Sequence, residues 1–158
     1  MPAISTAAYK KVIDDLKVVT NSRYTPVGDK TFCNYFAHDV MNGYGYKLPV
    51  NGTGDCATIF DGLYGNVDPH WKSVSFSDAQ ARANSGIPTV AITSGKAKKS
   101  PDTTMDDHIA VIYPSGKTPT VVKDVSISQA GRSLLQNSTI AWGWPAAAHS
   151  SIRFYSYY

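Results

Sequence analysis

The chain has 158 residues and a mass of 17.1 kDa, which is the size of one domain, spanning 1–158. Hydrophobic residues make up 42% and charged residues 17%, which excludes a disordered chain. The net charge of +3 includes one small basic cluster, Lys96, Lys98 and Lys99, too sparse to point to nucleic acid. Mild basicity still draws a protein toward polyanions. No apolar run approaches the ~20 residues of a membrane-spanning helix, and two cysteines cannot build a disulfide scaffold.

The start, MPAISTAAYKK, lacks the charged and apolar stretches of a secretory signal. A cytoplasmic protein, a route out that reads no such signal, and a trimmed start all remain open. Residues 5–19 predict an amphipathic helix, with Tyr9, Val12, Ile13 and Leu16 at spacings of three and four and Ser5 or Thr6 as its cap. Asn21-Ser22, Pro26 and Gly28 make the following stretch a loop. A second helix is expected from about Cys33, carrying Phe36, Ala37 and Val40 on one face and ending at Gly43 or Gly45. Asp55 is the expected cap of a third, which carries Ile59, Phe60 and Leu63 and stops at Gly65. Ser77 with Gln80 reads as a capping box for a short fourth helix ending at Gly86.

The second half changes character. PTVAIT (88–93) and HIAVIY (108–113) are β-branched and apolar and predict strands. Pro114-Ser-Gly-Lys is a turn signal. TVVKDVSIS (120–128) predicts a third strand, and SIRFYSY (151–157) a closing edge strand. Lys96–Pro101 reads as an exposed loop. Asn51-Gly-Thr and Asn137-Ser-Thr match the glycosylation pattern and are taken as chance matches. Helices first and an antiparallel sheet after them define the α+β class.

Cys33 sits where a loop meets a helix. A helix amino terminus lowers a thiol pKa, because the thiolate gains from the positive partial charge there. A cysteine nucleophile also needs a nearby base. His108 opens a strand and is the candidate, although only the fold can bring the two together. A third group must hold the imidazole by its other nitrogen. Gln129, in ISQAG, is preferred, with Asp124 as competitor and Asp107 as a weaker one. Cys56 stands at another helix start. It is read as a buried thiol; a bridge to Cys33 would defeat or redox-gate an enzyme. His38, His70 and His149 show no ligand spacing with the cysteines, so no metal is expected. His70-Trp71 and Trp142-Gly-Trp144 are candidates for lining a substrate groove, with core packing the equal alternative.

TFCNYFAHDV, ANSGIPTVAI, DHIAVIYPSG, ISQAG and the closing IRFYSY together resemble the NlpC/CHAP superfamily of papain-like cysteine amidases, over nearly the whole chain from about Arg23-Tyr24. The resemblance implies a papain-like fold, N-terminal helices on a C-terminal antiparallel sheet. It also implies cleavage of amide bonds in bacterial peptidoglycan, with Cys33 as nucleophile, His108 as base and a polar third residue on or near Gln129. Asn34 and Trp71 are taken as substrate-side residues, and Tyr24 as a second oxyanion donor beside the Cys33 backbone N–H. Two features depart from the family pattern: Asp107 stands where many members have Gly, and Gln129 where many have Glu. The short chain without wall-binding repeats is similar to phage lysin domains and to amidase toxins injected by type VI secretion. It is expected to be a monomer made without a signal peptide, acting in the periplasm or wall of a target bacterium. Its partners would be the stem peptide and, for a toxin, an immunity protein. Non-catalytic wall binding, and acyl transfer by the same dyad, are the alternatives.

Overall fold

The computed structural model describes residues 3–49, 54–95 and 107–158. Asn51 and the Lys96–Pro101 stretch lie outside the described residues. Six strands form one sheet: β1 (Trp71–Val74), β2 (Thr89–Thr93), β3 (His108–Ile112), β4 (Ser126–Ala130), β5 (Leu134–Thr139) and β6 (Arg153–Tyr157). Their order is β1-β6-β2-β3-β4-β5, and every pairing is antiparallel. With the helices described next, this is an α+β fold. The central strands explain themselves by composition. Val90, Ile92, Ile109, Val111 and Ile112 are wholly buried, and each such side chain withdrawn from water contributes about 1.5–3 kcal/mol.

Helix α1 spans Thr6–Asp15, and the Ser5 hydroxyl accepts from the Ala8 N–H to cap it. It stops short of residue 19 because Lys17 turns to φ 48° and the Asn21 side-chain amide donates to the Leu16 carbonyl. The Tyr9 hydroxyl lies 3.3 Å from the Thr89 carbonyl and 3.2 Å from that of Ile112, which anchors α1 to the sheet. Helix α2 spans Cys33–Tyr44 and ends at Gly45, whose φ of 87° suits a residue without a Cβ. Its buried residues Phe36, Ala37, Val40 and Met41 form the face that packs across β3 and β4. Helix α3 spans Cys56–Tyr64, and α4 spans Phe76–Asn84. Among the described residues no helix is long and apolar enough to cross a membrane.

Several sequence expectations are corrected. The α4 cap is Ser75, whose hydroxyl accepts from the Asp78 N–H at 3.1 Å, so Ser77 lies inside the helix. Gln80 closes no capping box. It is buried, donates to the Tyr113 carbonyl at 2.9 Å and accepts from the Ser126 N–H at 2.8 Å, joining helix to sheet. The stretch 120–128 is not one strand. N–H groups of Asp124 and Val125 bond back to Val121 and Val122, closing a 3₁₀ turn at Val122–Asp124 before β4 begins. The closing strand is internal, not an edge. Trp71 pairs with Tyr157, so β1 covers it and forms the edge. Strand β5 and the short helix α5 (Ile140–Gly143) are additional elements, and β5 is the other edge.

Candidate active site

Cys33 is the first residue of α2. The residue before it, Phe32, makes no side-chain capping bond, so no side chain caps the amino end of this helix. His108 is the first residue of β3, and α2 packs against that strand. Val111 pairs with Ser128. The same antiparallel register carried toward the strand end sets Gly131 opposite His108 and Gln129 on the diagonal, within reach of a long side chain.

Gln129 Oε1 lies 2.6 Å from His108 Nε2, and Gln129 Nε2 donates to the Ser133 carbonyl at 3.1 Å. The second bond fixes which end of the amide is oxygen. An amide oxygen only accepts, so His108 carries its proton on Nε2, which leaves Nδ1 for a second partner. Cys33 is near enough to feel the imidazole. Its thiol lies well below the ordinary range. The largest cause is a hydrogen bond from Cys56; the hydrogen bond and charge of His108 and the Ile109 backbone N–H add to it, and burial opposes it. Cys56 moves the other way. Its bond to Cys33 comes first, then burial, then the negative charge of Cys33, Asp107 and Asp55. Of two neighbouring thiols that perturb each other, the negative charge is favoured on Cys33 and disfavoured on Cys56. Both cysteines are unbridged.

A groove of about 400 Å³ runs past this cluster, lined by His108 and Gln129 with Asp29, Thr31, Arg132 and Trp142. The Cys33 side chain lies almost beneath the surface, with 5% of the residue exposed. Trp144 backs the imidazole, its ring centroid 4.6 Å from that of His108 and its plane tilted by 66°. Its indole N–H donates to Thr93 Oγ1 at 3.0 Å, which locks the ring in place. Trp144 is therefore both core and groove wall, whereas Trp142 stands 75% exposed.

Other candidates are placed elsewhere. Trp71 is buried at the β1 edge, with its indole N–H on the Lys47 carbonyl at 2.8 Å; it is a core residue because its ring packs against Tyr157. The Tyr24 hydroxyl donates to Asp39 at 2.5 Å, so its proton is committed to a carboxylate; burial, then Asp39, raises its pKa. That removes Tyr24 as an oxyanion donor. Asn34 donates to the Gly54 carbonyl at 3.4 Å, a tie between helix starts. Asp124 lies before β4, at the opposite end of that strand from Gln129. Asp107 lines the groove, but its carboxylate accepts from the Gly95 N–H at 2.7 Å. Among the described residues no three potential metal ligands gather. His70 bonds the Tyr158 carbonyl and His149 that of Trp144. His38 is buried with Nε2 unpartnered, and burial lowers its pKa.

Two glycines matter that sequence reasoning did not single out. A Cβ on Gly143 would stand 2.6 Å from Gln129 Oε1, and one on Gly131 would stand 3.0 Å from Gln129 Nε2 and from His108 Cε1. Both lie inside quoted runs, ISQAG and Trp142-Gly-Trp144, but nothing in those runs tells a packing glycine from a turn glycine. No family model matches the chain, and no curated protein matches it.

Proposed function

We propose that this protein is a cysteine amidase with the papain-like arrangement of the NlpC/CHAP superfamily, cleaving an amide bond in the peptidoglycan stem peptide or its cross-link. The observation that carries the reading is the imidazole of His108, held at Nε2 by Gln129 and near enough to Cys33 to lower its thiol pKa. A structural histidine at a strand end has no need of such a thiol nearby and an amide clamp on one nitrogen. Asp29 and Arg132 share the groove, and their opposite charges suit a substrate bearing both amine and carboxylate groups.

The chemistry follows the residues. Cys33 thiolate attacks the carbonyl carbon and forms a tetrahedral oxyanion. Backbone N–H groups of the first α2 turn point along the helix axis toward that oxygen; one such donor contributes about 10²–10³ in rate. His108, protonated at Nδ1, gives that proton to the leaving amine as the C–N bond breaks. Water then enters the groove, His108 takes its proton, and the hydroxide attacks the thioester. The acid departs and Cys33 returns as thiolate. Gln129 keeps Nε2 protonated throughout, so Nδ1 alone cycles.

An amidase of this kind would act on the wall of a target cell, as a phage lysin or as an injected antibacterial toxin. In the second setting an immunity protein that plugs the groove is the expected partner. The test is lysis of purified wall sacs by the protein and by Cys33→Ala. Lysis is expected to vanish in the variant, and mass analysis of fragments is expected to show a new amine and carboxylate. Lysis that survives removes Cys33 as nucleophile. A joined product in place of two new ends would make the protein a transferase.

A further inference from the structure

Cys56 is the nucleophilic group that hydrolysis leaves unused. It opens α3 as Cys33 opens α2, and the Asn34 bond to Gly54 ties the two helix starts together. Thr93, whose carbonyl accepts a hydrogen bond from the Cys56 thiol, pairs with His108 across β2 and β3, and both cysteines are free thiols that perturb each other. That hydrogen bond, at 3.8 Å, is a weak contact that does not hold the thiol in one orientation. A cysteine that only filled space would need no place beside the reactive one.

We propose that Cys33 and Cys56 form a reversible disulfide that gates the nucleophile, entered by exchange with a low-molecular-weight disulfide such as oxidised glutathione. The loss of activity rests on the hydrolase reading above; the exchange itself does not. Cys33 thiolate attacks one sulfur of the small disulfide. That S–S bond breaks, the first small thiolate leaves, and Cys33 carries a mixed disulfide. Until then the anion on Cys33 keeps the proton on Cys56. Capping Cys33 removes that anion and the hydrogen bond to it, so Cys56 becomes the more acidic thiol. Cys56 gives its proton to the departing small thiolate and attacks the Cys33 sulfur. The bond to the second small thiol breaks. Two protein thiols are oxidised to one disulfide, and one small disulfide is reduced to two thiols. Excess small thiol reverses both steps. The order is built in, because the sulfur whose pKa is lowered reacts first and the one whose pKa is raised resolves it.

The experiment incubates the folded, reduced protein with oxidised glutathione and reads intact mass, then maps bridged peptides. Wild type is expected to lose two hydrogens and retain no glutathione, with the peptides of Cys33 and Cys56 joined. Cys56→Ser is expected to stop with one glutathione attached at Cys33. Wall hydrolysis is expected to be lost on oxidation and regained with dithiothreitol. Wild type that keeps its glutathione, or does not react, overturns the proposal; so does a bridge between molecules in place of one within the chain. Should Cys56→Ser fail to fold, the wild-type mass and peptide map decide alone. A protein that closes the bridge but never hydrolyses wall material supports the exchange and overturns the hydrolase reading, so the two failures are told apart.

Discussion

Two helices of this molecule begin at a cysteine, and the two beginnings are finished differently. At α3 the Asp55 carboxylate accepts from the Thr58 N–H at 2.8 Å and from the Thr58 hydroxyl at 2.7 Å. At α2 the corresponding residue is Phe32, which caps nothing. The two thiols perturb each other in opposite directions, one toward the anion and the other toward the proton. Their surroundings decide which. His108 and the Ile109 N–H favour the anion at Cys33, whereas Asp107 and Asp55 disfavour it at Cys56. The same residue at the same helical position thus has its thiol pKa lowered at one helix and raised at the other. A carboxylate cap strengthens a helix but places negative charge beside its first residue. A helix start meant to hold a thiolate does better without one.

The largest break in this asymmetry is His108→Ala. Without the imidazole, Cys33 loses a neighbour that lowers its pKa and, on the proposed mechanism, the leaving amine loses its acid. Wall hydrolysis, read as kcat/KM, is expected to fall by about 10²–10⁴, the usual range for removing a general acid–base. Retained activity would transfer the base role elsewhere. Gly143→Ala comes next. The new Cβ would meet both Gln129 Oε1 and Ile127 Cδ1 at 2.6 Å, so the amide clamp must shift. Overpacking of this kind costs about 1–3 kcal/mol in stability, and misplacing the imidazole costs up to about 10²-fold in rate. Denaturant melts and turnover measured together separate the two. A fall in stability with unchanged turnover would show that Gln129 does not position His108.

A finer test puts a cap where there is none. Phe32→Asp adds a carboxylate at the start of α2. Cys33 has a lowered pKa, so its thiolate persists as pH falls below the ordinary thiol range and is lost only on passing that lowered value. A nearby negative charge raises the value, so the same loss occurs at higher pH. Helix-end charges contribute about 0.3–1 kcal/mol, which predicts an upward move of about half a pH unit. The readout is the iodoacetamide rate at Cys33 across pH, with Cys56 in the same protein as the slow internal reference. Phe32→Ala is the control, since the ring also packs on Tyr35. No movement beyond the control would detach the cap from the thiol.

Much of this asymmetry was legible in the sequence, and the rest had physical reasons for being hidden. Helix starts at Cys33 and at Asp55 followed from local spacing and capping chemistry, which act within a turn. The strands TVAIT and HIAVI followed from β-branched burial. The edge position of β1 did not, because WKSV is half exposed and carries a tryptophan that looks like a groove residue. Nor did the inward place of β6, which depends on pairing with a strand far away in sequence. Gln129 is reachable by reasoning along an antiparallel return, but the choice over Asp124 depends on register, and the 3₁₀ turn at Val122–Asp124 sets it. The nearness of the two cysteines is purely tertiary. The sequence offers a bridge to Cys33 only as an alternative to a buried thiol at Cys56.

The smallest expected effect is also the sharpest control. Asp55→Ala removes the α3 cap and leaves the Thr58 N–H without its side-chain acceptor. Loss of such a cap costs about 0.5–2 kcal/mol, and for a chain of this length each kcal/mol lowers Tm by about 2–4 °C. Asp55 is the last and weakest of the charges that raise the Cys56 pKa. The Cys33 alkylation profile is therefore expected to stay where it is while Tm falls. If Asp55→Ala moves that profile as far as Phe32→Asp does, in the opposite direction, the carboxylate reaches across both helix starts and the uncapped end of α2 has no special claim on the thiolate. If only Tm moves, the two caps act locally and the missing one at Phe32 belongs to the reactive sulfur.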